Sequence, residues 1–135
     1  MNSLKSYIIP LSFVFTASAN APAQEMHDMP EPCEAVRTIS HKAQASWYGP
    51  GFHGRRTANG EIFNMNAMTA AHKTLKLGTR VLVTNLDNGI QAVLRINDRG
   101  PYIRGRSLDV SKRAADVLDF REEGTAPIRL TICAS

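Results

Sequence analysis

Residues 79–98 of the chain read TRVLVTNLDNGIQAVLRIND and predict a β-hairpin. Thr79 to Asn85 is rich in β-branched and apolar residues, as strands are. Asn88-Gly89 is the strongest short-range hairpin signal, because both residues accept the positive φ angles of a tight turn. On the returning strand, Gly89 to Asn97, apolar and polar residues alternate, so one face is predicted to be buried. Asp98 falls in register with that buried face, at the point where the strand ends.

The segments on either side of the hairpin add further short strands and one helix. Ala43 to Tyr48, Ser107 to Val110 and Ala126 to Cys133 are strand candidates, the last with clear alternation. Ser111 can cap a helix that runs from Lys112 to about Asp119. Many short strands, Gly-rich turns and little helix predict a mainly β fold, a small β-barrel whose closure removes exposed strand edges.

The first 40 residues are predicted to lie outside the folded domain. Residues 1–23 contain a basic start, an apolar run from Tyr7 to Phe15 and then small residues, which is typical of a cleaved secretory signal peptide. The apolar run is about half the ~20 residues that a membrane-spanning helix needs. Residues 24–40 are polar and interrupted by prolines, which predicts a flexible lead-in. The domain is therefore predicted to span residues 41–135, exported to the periplasm or cell envelope with no transmembrane segment after signal cleavage.

Charge and spacing argue against several classes of function. The formal net charge is +4 at pH 7, but no basic stripe is interleaved with stacking aromatics, so no nucleic-acid partner is expected. The four histidines are scattered, and no two ligand-type residues have the spacing of a structural zinc site, so no metal or other cofactor is expected. Residues 49–54, GPGFHG, fit a dinucleotide-binding glycine motif, but no helical period follows them and the match is attributed to a glycine-rich loop.

The chain's two cysteines, Cys33 and Cys133, bracket the predicted domain. In an oxidising compartment such a pair can form one disulfide that ties the lead-in to the last strand. Two free thiols near the chain ends are the alternative. We favour the disulfide, because a small domain gains most from a bridge that closes a long loop.

Seven segments in the stretch from about Ala43 to Cys133 carry a resemblance to a known family. They are ASWYG (45–49), TANGEIF (57–63), TAAH (69–72), LGT (77–79), VTN (83–85), NDRGPY (97–102) and GRSLDVS (105–111). In this order they closely resemble the rare lipoprotein A (RlpA-like) family of exported, endolytic peptidoglycan lytic transglycosylases.

The resemblance implies both a fold and a reaction. The fold is a six-stranded double-psi β-barrel with one or two short helices, shared with expansins and barwin-like proteins. The reaction is cleavage between N-acetylmuramic acid and N-acetylglucosamine without water, which leaves 1,6-anhydro ends, with a preference for strands that lack stem peptides. The implied partners are peptidoglycan glycan strands and cell-division or envelope proteins. Carried over position by position, the family's active-site acids are Glu61 and Asp98, with His72 close by.

One carboxyl group can serve this reaction first as acid and then as base. Its pKa must be raised by burial or by a neighbouring carboxylate, since the group has to carry a proton near neutral pH. Asp98 is assigned this role because it is in register with an apolar face. Glu61, on a glycine loop, is assigned as the ionised group that stabilises the cationic centre, and His72 as the residue that orients a carboxylate or the substrate.

Cationic and aromatic residues near these positions are candidates for binding the glycan. Arginines can bind the lactyl carboxylates of muramic acid, and the candidates are Arg55, Arg56 and Arg104. Aromatic rings can stack on sugar faces, and the candidates are Trp47, Tyr48 and Tyr102. Ordinary surface and core packing is the alternative for both sets. At the level of function, the alternatives are a non-catalytic, expansin-like glycan-binding or wall-loosening module and a structural envelope protein.

Overall fold

The structure, a computed structural model, describes residues 32–135, and the predicted signal peptide lies outside the described residues. Six strands and one short α-helix form the domain. The strands are β1 (Ala35–Trp47), β2 (Thr69–Ala71), β3 (Arg80–Asn85), β4 (Gln91–Asp98), β5 (Leu108–Val110) and β6 (Thr125–Cys133), and the helix is α1 (Lys112–Val117). A single turn of 3₁₀ helix, Pro50–Phe52, lies in the long loop between β1 and β2.

The six strands close into a barrel in the order β1-β5-β2-β4-β3-β6. Two neighbouring pairs, β1 with β5 and β2 with β4, are parallel. The other pairs, including the β1–β6 pair that closes the barrel, are antiparallel. A closed, six-stranded, mixed barrel with one short helix confirms the predicted mainly β fold and is consistent with a double-psi β-barrel.

The predicted hairpin is present as β3 and β4, joined through Gly89 with a φ of 79°. Val81 lies opposite Leu94 in the register of the pair. The side chains of Val81, Val83, Leu94 and Ile96 are at most 1% exposed and form part of one core inside the barrel. Burying each such side chain contributes roughly 1.5–3 kcal/mol, so the alternation that predicts the hairpin also stabilises it.

Strand β1 starts earlier than the sequence pattern predicts. Residues 35–40, expected to belong to the flexible lead-in, are strand and pair with the end of β6, where Ala35 lies opposite Cys133. The expectation of little burial holds, because Val36 is 66% exposed. This part of β1 is therefore held mainly by its backbone pairing with β6, and of its apolar side chains only Ile39 packs against the core, so a pattern of burial cannot reveal it.

Strand β2 was not predicted from alternation. Thr69–Ala71 is only three residues long, and all three are buried. It lies between β4 and β5 and pairs with both. A strand covered on both faces has no polar side to alternate with, so short buried strands carry little periodic signal.

Two local predictions, the disulfide and the helix cap, are confirmed. Cys33 and Cys133 form a disulfide that spans 100 residues of sequence. The Ser111 hydroxyl accepts a hydrogen bond from the Ala114 amide at 3.1 Å and so caps α1, which ends at Val117. Within residues 32–135, no helix is long and apolar enough to cross a membrane.

Candidate active site

Four residues lie side by side across four neighbouring strands at one end of the barrel. Ser46 of β1 is opposite Asp109 of β5, Asp109 is opposite Ala71 of β2, and Ala71 is opposite Asp98 of β4. The small Ala71 side chain therefore separates two aspartates by two interstrand spacings, roughly 10 Å between their Cα atoms. The order of strands in the barrel is what brings these two carboxylates to the same row.

A cleft of about 130 Å³ opens over this row. Its floor and walls are formed by both aspartates, three aromatic side chains and the loop that follows β4. The lining residues are Tyr48, Phe52, Ala71, Asp98, Arg99, Gly100, Pro101, Tyr102 and Asp109. A concave surface with a few converging polar groups is the usual form of a small-molecule or polymer site.

Asp98 is held in the cleft by the backbone around it. Its Oδ1 accepts hydrogen bonds from the amides of Ala58 and Arg99, both at 2.9 Å. Because both bonds are made to Oδ1, Oδ2 is the oxygen left for a substrate. Asn59 also donates its amide to the carbonyl of Asn97 at 3.2 Å, so residues 57–60 are fastened to the end of β4 beside the acid.

The side chain of Asp98 does not continue the buried face of β4, as the sequence alternation predicts. The register between β2 and β4 shifts after the Ala70–Ile96 pair, so that Ala71 lies opposite Asp98 and Asn97 is an extra residue. Such a bulge reverses the alternation beyond it. Asn97 is consequently buried, at 1% exposure, while Asp98 is only half-buried and lines the cleft.

The cleft's aromatic residues have distinct environments. Tyr48 is 8% exposed and its ring stacks on Phe63, with centroids 4.5 Å apart, so its ring face is already occupied. The rings of Phe52 and Tyr48 form a T-shaped pair with centroids 5.6 Å apart. Phe52 is 48% exposed and Tyr102 is 77% exposed. The predicted stacking role therefore suits Tyr102 and the unpredicted Phe52, while the Tyr48 hydroxyl is buried.

Residues 40–130 match the model of a family described as lytic transglycolase. The chain belongs to this family. The resemblance to rare lipoprotein A is confirmed by curated relatives. The chain is 57% identical over 88 residues to "Endolytic peptidoglycan transglycosylase RlpA" of Campylobacter jejuni. It is 61% identical over 88 residues to "Probable endolytic peptidoglycan transglycosylase RlpA" of Synechocystis.

Both alignments cover 65% of this chain, which spans 32% of the Campylobacter relative and 27% of the Synechocystis relative. Among solved structures, the apo form of an expansin from Clavibacter michiganensis superposes with a TM-score of 0.57. That alignment has 18% sequence identity and covers 72% of this chain and 52% of the expansin. At this identity the likeness shows only that this chain has the same fold as that part of the expansin.

Glu61, one of the two acids expected at the family's active site, is engaged by side chains of β4. Arg95 binds its carboxylate with two hydrogen bonds, of 2.9 and 3.2 Å, and Asn97 donates a third at 2.6 Å. These hydrogen bonds, with Arg95 first, lower the pKa of Glu61 from 4.5 to about 2. Glu61 is therefore ionised at neutral pH, as expected, but its charge is compensated and it is not part of the cleft lining.

The Glu61–Arg95 pair predicts a specific dependence of stability on pH. A folded-state pKa below the unfolded value means that the contribution is fully present above pH 4.5 and disappears as the pH falls toward 2. Because both side chains are more than a third exposed, at 36% and 43%, solvent screening limits this contribution to about 1 kcal/mol. Glu61→Gln is expected to lower the free energy of unfolding by this amount at pH 7 and by almost nothing near pH 2.

Urea unfolding of the wild type and Glu61→Gln across this pH range measures the difference. Glu122→Gln is the matched control, because Glu122 is exposed and forms no ion pair within residues 32–135. A Glu61→Gln deficit that stays constant from pH 7 to pH 2 would contradict the assignment of the low pKa to this ion pair.

His72 follows β2 directly and meets Asp98 through the backbone, where its amide donates to the Asp98 carbonyl at 3.1 Å. Its Nδ1 accepts hydrogen bonds from the amides of Thr74 and Leu75 at 3.1 and 3.0 Å. Burial, followed by the positive charges of Arg99 and Lys73, lowers the pKa of His72. The imidazole is therefore neutral at neutral pH with its proton on Nε2, and Nε2–H is the donor it can offer.

Arg99 does not pair with the carboxylate of its neighbour. Its Nη1 donates to the carbonyls of His72 and Leu75 at 3.1 and 2.7 Å. The guanidinium thus closes the loop after β2 against the end of β4. This arrangement holds His72 beside Asp98, and the Arg99 guanidinium is hydrogen-bonded to backbone oxygens.

The remaining predicted binding residues are distributed around the domain. Trp47 donates its indole N–H to the carbonyl of Arg121 at 3.0 Å and packs against the barrel core, which fits the packing alternative. Arg55 lies over the ring of Phe52 at 5.7 Å, beside the cleft. Arg56 donates to the Gly60 carbonyl at 2.6 Å, and Arg104 is exposed on the loop between β4 and β5.

Among the aromatic and acidic residues of the cleft, Phe52 and Asp109 were not predicted as site residues. Asp109 lies between Leu108 and Val110, which are both buried, so its outward orientation could be anticipated from alternation, but its proximity to Asp98 could not. Within residues 32–135, no three His, Cys, Asp or Glu side chains are grouped so that they could hold a metal ion.

Proposed function

We propose that this protein is a peptidoglycan lytic transglycosylase, a lyase that cleaves the bond between N-acetylmuramic acid and N-acetylglucosamine and leaves 1,6-anhydromuramic ends. Its substrate is glycan strands that lack stem peptides. It acts in the periplasm or cell envelope, after export by the signal peptide, beside cell-division or envelope proteins. The main support is that Asp98, the family's acid by position, lies in an open cleft with Oδ2 directed to no protein donor within residues 32–135.

Asp98 carries the chemistry in two proton transfers. Its carboxyl group first gives a proton to the glycosidic oxygen, the bond from that oxygen to C1 of the muramic acid breaks, and the glucosamine unit leaves as an alcohol. The C6 hydroxyl of the same muramic acid then bonds to C1, and the Asp98 carboxylate takes its proton. The acid is regenerated and no water is consumed, which distinguishes this cycle from two-carboxylate hydrolysis.

Glu61 and His72 support Asp98 in different ways. Since Arg95 and Asn97 bind Glu61, we assign it as a positioning residue that fastens residues 57–61, including the Ala58 amide donor, to β4. This replaces the role of cation stabiliser expected from the sequence. His72, neutral and protonated on Nε2, orients the substrate or a carboxylate with that N–H.

Phe52 and Tyr102, the two exposed aromatic residues of the cleft lining, are assigned as the sugar-stacking surfaces, with Arg55 beside Phe52 to bind a lactyl carboxylate. Tyr102→Ala is expected to raise KM about tenfold and to change kcat by less than about twofold, because stacking binds substrate and transition state alike. Steady-state release of glycan fragments measures both constants. Tyr102→Phe, which keeps the ring, is the control and should retain the wild-type KM; a large loss of kcat in Tyr102→Ala would contradict the stacking role.

The function is tested by digesting amidase-treated sacculi and determining product masses. A lytic transglycosylase releases fragments one water lighter than hydrolysis products, and release should be faster than from untreated sacculi. Fragments with a free reducing end would overturn the lytic mechanism. Binding to sacculi without any release would overturn the enzymatic function in favour of a non-catalytic, expansin-like glycan-binding or wall-loosening module, which the shared fold and the open aromatic cleft also suit.

A further inference from the structure

Asp109 lines the same cleft as Asp98, from which Ala71 of β2 separates it, and has contacts of its own that hold it there. It pairs with Ala71 on one side and with Ser46 on the other, and the Ser46 hydroxyl donates to its Oδ1. Ser46 is 2% exposed, so this hydroxyl is itself fixed inside the barrel wall. Asp109 is half-buried and lines the cleft.

The hydroxyl of Tyr48 is a buried hydrogen-bond donor that interacts electrostatically with both acids. Tyr48 is 8% exposed, lines the same cleft, and its hydroxyl has no hydrogen-bond partner within residues 32–135. Leaving a buried hydroxyl unpaired costs about 1–3 kcal/mol. Burial, followed by the charges of Asp98 and Asp109, raises the pKa of Tyr48, so the phenol keeps its proton and remains a donor.

We propose, resting on the function proposed above, that Asp109 is a second catalytic carboxylate, whose negative charge stabilises the positive charge that develops at C1 of the muramic acid. Glu61 is poorly suited to this task, because its charge is paired with that of Arg95 and it does not line the cleft. Asp109 is bound by a neutral hydroxyl and forms no ion pair within residues 32–135. Asp98 then performs the proton transfers while Asp109, on the other side of Ala71 in the same cleft, stabilises the cationic centre, and Ser46 acts as a positioning residue for Asp109.

The test compares kcat and KM for release of anhydro fragments from amidase-treated glycan by four variants. Asp109→Asn keeps an oxygen that can accept from Ser46, and its kcat is expected to fall about 10²-fold with KM within about threefold of the wild type. Ser46→Ala should lower kcat about tenfold through loss of one charge-assisted hydrogen bond. Asp87→Asn, the same change at an exposed hairpin residue, is the control and should match the wild type. The fourth variant, Asp98→Asn, reports on the proposed function itself.

The possible outcomes separate this inference from the function on which it rests. If Asp109→Asn keeps the wild-type kcat while Asp98→Asn is inactive, Asp109 is not catalytic and the proposed function stands. A rise in KM with unchanged kcat makes Asp109 a binding residue only and also overturns the inference. Release of no anhydro product by the wild type overturns both. Should Asp109→Asn fail to fold, Asp109→Glu replaces it: its longer side chain displaces the charge, so a wild-type kcat would refute the inference.

Discussion

Asp98→Asn is expected to lower the rate of anhydro-product release by about 10³-fold, because the same group supplies the proton to the leaving oxygen and removes the proton from the attacking hydroxyl. An amide can do neither. Its oxygen can still accept hydrogen bonds from the amides of Ala58 and Arg99, so the cleft should keep its shape. The effect is measured by mass analysis of the released products, together with an assay of the variant's binding to amidase-treated sacculi.

A matched control removes the ambiguity of a charge change. Asp87→Asn deletes one carboxylate at an exposed hairpin turn and should leave release at the wild-type rate. Asp98→Asn should melt within a few degrees of the wild type and bind glycan with similar affinity. Turnover by Asp98→Asn at the wild-type rate would refute the role of Asp98 as acid and base, even if release by the wild type establishes the enzyme.

Removal of the Cys33–Cys133 disulfide is expected to produce the largest loss of stability. The bridge closes a sequence separation of 100 residues, and a loop of that length corresponds to about 4.7 kcal/mol of chain entropy in the unfolded state. The first part of β1 should be affected most, since it has little buried surface and is held to β6 by its backbone pairing. Urea unfolding of the Cys33→Ser, Cys133→Ser double variant measures the loss.

A reductant provides the control for the disulfide. The wild type in dithiothreitol should lose the same free energy as the double variant, and the double variant should not respond to the reductant. Unchanged unfolding of the wild type under reducing conditions would mean that the bridge adds nothing to the stability of the domain.

Local features of the domain could be predicted from the sequence because neighbouring residues produce them. The hairpin of β3 and β4 follows from Asn88-Gly89 and from alternation on both sides of it. The start of α1 follows from one hydroxyl at Ser111, and the disulfide from two cysteines in a chain expected to be exported. Asp98 and His72, which the family segments place together, are joined by a backbone hydrogen bond, because Asp98 ends β4, His72 directly follows β2 and these strands are parallel neighbours.

The tertiary structure alone determined which carboxylates share the cleft. Asp98 and Asp109 meet across Ala71 because β2, a strand without alternation, inserts between β4 and β5. Glu61 does not line the cleft, and its carboxylate is bound instead by Arg95, which is 34 positions away in the chain. Which carboxylates come together depends on the strand order and on one bulge at Asn97, and neither can be predicted from local periodicity. The sequence by itself therefore determined the barrel class and the candidate acids, whereas long-range strand pairing determined which acids line the cleft.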